Sequence, residues 1–204
     1  NKKKLAWIFF FVTLVVFLTF VASAISMESA GNPEIEKLGI QQPMGSMEGK
    51  EVRFGSEASA LWGVSTTSTS NGSVNSMHDS HTSLSGGIFL LDMMINSVWG
   101  GVGVGFINFF MFVVIAVFIA GLMIGRTPEF LGKKIEAREV KIASLIILLH
   151  PFLILVGTAI AAVVATNNSD IGWIANPSFH GFSEMLYEFT SAAANNGSGF
   201  EGLC

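Results

Sequence analysis

The chain has 204 residues, half of them hydrophobic and only 13% charged, where an ordinary soluble domain carries about 25% charged residues. That balance excludes a soluble globular domain and points to a membrane protein; the net charge of −4 says little by itself, and no nucleic-acid partner is expected. The single cysteine, Cys204, excludes an internal disulfide framework and leaves the redox compartment open.

Residues 5–25, 104–124 and 142–165 contain no Asp, Glu, Lys or Arg, and each run reaches the ~20 residues that cross a bilayer core. The first run follows Lys2, Lys3 and Lys4 and ends near Ala22-Ser23-Ala24, a texture shared with secretory signals. It is longer than a signal core of about 7–15 residues and no initiating Met precedes it, so it reads as a span in the interior of a longer chain. Eight of the eleven Lys and Arg residues lie in two short segments: the N-terminal lysines, and Arg126, Lys133, Lys134, Arg138 and Lys141. The positive-inside bias puts both in the cytoplasm. The segment after the first run carries Glu28, Glu34, Glu36, Glu48, Glu51 and Glu57 against Lys37, Lys50 and Arg53, which suits the outside.

Next comes SNGSVNSMHDS, residues 70–80, and a shortened copy returns as NNGSGFEG at residues 195–202. Aligning Gly72 with Gly197, 125 residues apart, pairs Leu61-Trp62 with Leu186-Tyr187, Ser65-Thr66 with Thr190-Ser191, and Ser70 to Ser73 with Asn195 to Ser198. So long a period marks duplication of a whole unit. In both copies a stretch of about 15 residues, too short to span, ends in the Asn-Gly-Ser cluster. Residues 57–69 and 183–194 are therefore expected as half-helices that enter the membrane and stop. Irregular backbone at membrane depth is tolerated only where protein buries it or a wet cavity needs it, so the two loops should line something.

Topological parity then requires one crossing between residues 80 and 126. That stretch is over-long for one straight helix and holds GGVGVG, with Gly100, Gly101, Gly103 and Gly105, so a helix broken by a glycine loop is expected. GGVGVG also resembles part of a dinucleotide fingerprint, but no strand precedes it and no acid follows at the required distance. The predicted fold class is an all-α membrane protein made of repeated units, each a span, a re-entrant pore half-helix, a filter loop and a span. The expected segments are a transmembrane helix at 1–26, an extracellular loop at 27–54, and a half-helix with its filter at 55–80. A broken span follows at 81–125, a cytoplasmic loop at 126–141 and a transmembrane helix at 142–165. An extracellular loop at 166–180 and a second half-helix and filter at 181–204 complete the chain.

A dehydrated potassium ion needs a ring of fixed oxygens, and backbone carbonyls supply it without full negative charge. Glycine turns successive carbonyls toward one axis because no Cβ opposes left-handed or extended angles, so K+ is placed at Gly72 and Gly197. Ser70, Asn71, Ser73, Asn195, Asn196 and Ser198 would add carbonyls while their side chains hold the backbone donors behind them. The half-helix C-termini, worth roughly −0.5 charge, would face the cation. Asn-Gly is also an ordinary turn signal, and the triplets at Asn71, Asn167 and Asn196 fit the short glycosylation pattern; repetition after matched half-helices favours the filter. His78-Asp79-Ser80 suggests a hydrolase, but consecutive residues seldom converge on one reacting atom. His150, before Pro151, is expected to face the carbonyl that the proline frees. Asp92 and Asn96 could face an ion path, or Asp92 could sit at a packed turn.

The motifs MEGKE (47–51), RFG (53–55), NGSVNSMHDS (71–80), VFIAGLMIGRTPEFLGKKIEAREVK (117–141), HGFSE and NNGSGFEGL together resemble the A subunit family of bacterial Kdp potassium-transporting ATPases, in the superfamily of potassium transporters. The resemblance covers nearly the whole chain, and RTPEFLGKKIE and MHDS are its most specific parts. It implies four units in the bacterial inner membrane, of which this sequence holds the third and the start of the fourth. It implies a non-catalytic subunit without a cofactor of its own, passing K+ to a P-type ATPase partner beside small accessory membrane subunits. It also implies that Gly100, Gly101, Gly103 and Gly105 form a gating loop and that Arg126 marks the cytoplasmic end of that helix. Asn96 departs from a Glu common in relatives, and His81 and Glu201 depart near the two filters. A passive channel or ion-coupled symporter of the Trk/Ktr type, and a membrane hydrolase or anchor, are the competing readings.

Overall fold

The computed structural model describes residues 3–101, 103–167 and 172–202. Lys2, Cys204 and the last two residues of the Asn167 triplet lie outside them. The chain is an all-α membrane protein, with helices α1 (Lys3–Ala30), α2 (Pro33–Lys37), α3 (Gly55–Ser68), α4 (Ser83–Ile95), α5 (Val104–Ile124), α6 (Ala137–Asn167) and α7 (Phe179–Ala193). Three of them, α1, α5 and α6, are long and apolar enough to cross a membrane. Their surfaces carry exposed Trp7, Phe11, Phe106, Leu122, Leu148 and Phe152; helices apolar all round need lipid or further helices as neighbours.

The helices overrun the apolar runs. α1 continues to Ala30, where Gly31 at φ +85° ends it, and α6 begins at Ala137, inside the segment expected as a cytoplasmic loop. Hydrophobicity sets what lies in lipid, whereas a helix ends where its backbone is broken or capped. The rest of that segment also departs from a plain loop. Two two-residue strands, β1 (Glu129–Phe130) and β2 (Lys133–Lys134), pair antiparallel across Leu131 and Gly132, both at positive φ as a tight hairpin turn requires.

α3 has 14 residues and α7 has 15, about 21–23 Å of helix, short of a ~30 Å hydrocarbon core. The main core joins both: Ala24 of α1, Ala60 and Val64 of α3, Phe89 and Met93 of α4, and Tyr187, Ala194 and Phe200 around α7. Phe89 lies against Gly63, where any Cβ would strike its ring. Tyr187 and Phe200 stack with centroids 4.1 Å apart. α5 and α6 pack separately through Val114, Ile135 and Ala143.

Candidate ion-binding site

Each half-helix ends in the same hydrogen-bonded turn. In the first, the Thr69 amide donates to Ser65 O and the Asn71 amide to Thr66 O; in the second, Ala194 donates to Thr190 O and Asn196 to Ser191 O, all at 2.9–3.1 Å. Ser70 (φ +50°) and Asn195 (φ +55°) take the left-handed step that lets the chain leave the helix axis. The Asn71 Oδ1 then accepts from the Ser73 amide and the Asn196 Oδ1 from the Ser198 amide, each at 2.9 Å. The side chains thus hold the loop's donors, as an Asx turn does. Even the ring positions correspond: the Trp62 indole donates to Ser73 O, and the Tyr187 hydroxyl pairs with Ser198 Oγ, both at 3.0 Å.

The two loops also meet. The Asn196 Nδ2 donates to Thr66 O at 2.7 Å, tying the second loop to the end of α3. A Cβ on Gly72 would lie 2.8 Å from the Gly197 carbonyl carbon and 2.9 Å from Asn196 O. The two glycines are held in different ways. Gly197 is at φ +94°, but Gly72 is not at positive φ and is glycine because another backbone passes where its side chain would be. Asn71, Gly72, Ser73, Asn195 and Gly197 are exposed, while Asn196 and Ser198 are buried.

The glycine break lies against the first of these turns. The Trp99 amide donates to Ser68 O at 3.1 Å and the Gly101 amide to Thr69 O at 2.9 Å. Ser70 Oγ donates to Asn96 Oδ1 at 3.3 Å, and a Cβ on Gly100 would sit 2.7 Å from Ser70 Oγ. Two carbonyls at the C-terminus of α3 are therefore taken by this loop. Gly105 lies in the first turn of α5, and its amide donates to Gly100 O at 2.7 Å. Gly103 precedes it at φ +90°. Arg126 is not part of this group. It follows the far end of the 21-residue α5, roughly 30 Å away.

Asp92 is resolved in favour of a packed position. Its carboxylate is buried and accepts from Thr67 Oγ1 at 2.9 Å and Ser68 Oγ at 2.5 Å, behind the end of α3. Asn96, at φ +45°, caps α4, and its carbonyl accepts from Asn108 Nδ2 at 2.8 Å. His150 contacts not the carbonyl freed by Pro151 but Met93 O, at 3.2 Å, on the last turn of α4; that carbonyl lacks a helical donor because α4 stops at Ile95.

His78, Asp79 and Ser80 do not converge, which removes the geometric basis for a hydrolase. His78 Nδ1 pairs with the Tyr187 hydroxyl at 2.9 Å, while Asp79 Oδ1 pairs with His180 Nε2 at 2.6 Å. A buried network that sequence reasoning missed holds the segment after the first loop. Glu28 Oε2 lies 2.9 Å from Lys50 Nζ with both side chains fully buried, and Glu28 Oε1 accepts from the amide and hydroxyl of Thr82 at 2.9 and 2.7 Å. His81 joins it, 3.5 Å from Glu28 and 2.9 Å from Ser76 Oγ. The signal was present in the MEGKE and MHDS motifs. Met77 donates its amide to Gly49 O at 2.8 Å, and a Cβ on Gly49 would strike Ser80.

Two short helices whose bent ends touch, beside three helices long and apolar enough to cross a membrane, define a membrane protein of the all-α class. The model of the family described as "Potassium-transporting ATPase A subunit" matches residues 1–204, and the chain belongs to that family. Proteins described as potassium-transporting ATPase potassium-binding subunits are similar along the whole chain: 59% identical in Phocaeicola vulgatus and 58% in Flavobacterium johnsoniae, with 37% of each relative covered. One from Clostridium acetobutylicum is 53% identical over 89% of this chain and 32% of its own length. The chain thus spans about a third of the length of these relatives.

Proposed function

We propose that this chain is part of the ion-selective, potassium-binding subunit of an ATP-driven high-affinity importer in the bacterial inner membrane. The Asn-Gly-Ser loops are two quadrants of a carbonyl filter opening to the outside, with K+ held at Gly72 and Gly197 and by the backbone of Ser70, Asn71, Ser73, Asn195, Asn196 and Ser198. The remaining quadrants belong to other parts of a longer chain. The glycine loop is the gate on the inner side of the filter, and Arg126 lies at the cytoplasmic end of α5. Hydrolysis resides on a P-type ATPase partner, with small accessory membrane subunits completing the complex. The relatives' names, which join potassium binding to an ATPase, favour this reading over a passive channel or symporter.

The observation that carries the proposal is the backbone contact between Gly72 and the 196–197 peptide. It puts two bends of one repeat side by side, as a ring of carbonyls around one axis requires. The test is Gly72→Ala in the complete complex, with potassium-stimulated ATP hydrolysis measured against K+ and Na+. A methyl group 2.8 Å from the Gly197 carbonyl carbon must push the loops apart. Overpacking of this kind costs about 1–3 kcal/mol, so the K+ concentration for half-activation should rise about tenfold or more. Unchanged K+ dependence in a stable Gly72→Ala complex rejects the filter.

A further inference from the structure

We propose that Asp79, His180 and Glu184 form a binding site for a zinc-class divalent metal ion, separate from the Asn-Gly-Ser loops. One ligand atom from each of the three lies within 4.8 Å of the others. Ligands around a tetrahedral zinc, each about 2.0–2.2 Å from the metal, lie roughly 3.4 Å apart, so an ion would replace the 2.6 Å His180–Asp79 hydrogen bond, opening that pair while small side-chain adjustments bring Glu184 in. His180 and Glu184 stand one helical turn apart at the start of α7, on one face. Asp79 reaches them from the 3-10 turn that follows the first loop.

The second observation is an uncompensated buried carboxylate. Glu184 is fully buried, and its Oε2 has no hydrogen-bond partner among the described residues. Its Oε1 accepts only amide bonds, from Asn176 N at 3.2 Å and Asn176 Nδ2 at 2.8 Å. No Lys or Arg occurs at residues 54–125 or 142–202, and Glu201 adds another carboxylate, its Oε2 accepting from the Asp79 amide at 3.3 Å. A buried carboxylate without a cation is costly, and a metal ion is one of the few partners that offset it. Asn176 Nδ2 also reaches Asp79 Oδ2 at 3.3 Å, so one side-chain amide bridges both acids. Turned about its Cβ–Cγ bond, that amide presents its oxygen as a fourth donor. Imidazole nitrogen with carboxylate oxygen suits zinc, whereas calcium and magnesium prefer all-oxygen sets. The ion would join the segment after the first loop to the first turn of the second half-helix, clamping the two units together.

The test uses the complete complex, purified without a histidine tag and titrated with ZnCl2 by calorimetry. Wild type should show one saturable site that Asp79→Asn and His180→Ala each weaken about tenfold or more, while CaCl2 competes poorly. His180 is 45% exposed in its side chain, so its replacement leaves a foldable complex, checked by size exclusion. Two results overturn the proposal. One is equal zinc binding by wild type and both variants. The other is no zinc binding by a monodisperse wild-type complex, in which case the cluster is only a hydrogen-bonded latch that lowers the melting temperature when His180 is lost. Neither result bears on potassium dependence, which tests the filter separately.

Discussion

At Gly197 the backbone turns through φ +94° with only Gly72 Cα, 3.7 Å away, near the place of a side chain. At Gly72 the angle is ordinary and the space is full. Substitution should therefore fail in two different ways. Gly197→Ala meets no clash but imposes a backbone conformation that costs an L-residue about 1–2 kcal/mol. It should lower the melting temperature of the complex in detergent and leave the discrimination of K+ against Na+ closer to wild type than Gly72→Ala does. Equal loss of discrimination in both variants would mean that the bend, not the approach of the two loops, sets selectivity. The sequence shows the pair as equivalent because repetition is all it can display; which glycine is steric and which conformational depends on a contact across 125 positions.

Among the helices, α4 and α5 are separated by a gap that is fastened to α3. The amides of Trp99 and Gly101 take two carbonyls that a free helix end would leave to water or an ion. Gly105 closes the arrangement from the other side, since a Cβ there would lie 2.5 Å from the Gly100 amide nitrogen. Gly105→Ala should lift the loop from α3 without touching Asn71 to Ser73 or Asn195 to Ser198. An overpacking cost of about 1–3 kcal/mol, where it falls on the barrier, corresponds to about 5- to 150-fold in rate. The expected outcome is a maximal uptake rate changed by a factor in that range, with the K+ concentration for half-activation held within about twofold. Faster amide exchange across residues 96–101 would accompany it. If affinity shifts and rate does not, the loop belongs to the filter rather than to a gate. The break itself was legible in GGVGVG, because four glycines in six residues cannot hold a helix. Its docking on Ser68 and Thr69 was not, because backbone amides leave no mark in a sequence. Neither was the start of α6, whose first turns run through charged residues that composition assigns to a loop.

Taken as a whole, the molecule ties the segment after the first loop to the second loop through buried side chains. A hydrogen-bonded chain runs from His78 Nδ1 through the Tyr187 hydroxyl to Ser198 Oγ and on to Asn196 Oδ1, at 2.9, 3.0 and 2.5 Å. It starts just after the first loop and ends within the second. Sequence comparison within the repeat paired Tyr187 with Trp62 but could not show that the tyrosine reaches across to the other unit. Glu28 and Lys50, read only as loop charges, anchor the same segment to α1. Tyr187→Phe isolates this link, because the ring keeps its 4.1 Å stack on Phe200 while the hydroxyl disappears. His78 and Ser198 are both buried, and each would lose the same partner. An unsatisfied buried group costs about 1–3 kcal/mol, so the variant complex should melt several degrees lower. If the chain also sets the position of the second loop, the K+ concentration for half-activation should rise together with the loss of stability. Replacing His78 as well should then add little, because both changes break one connection and are not independent. Additive losses in the double variant would show that His78 and Tyr187 support the two units separately.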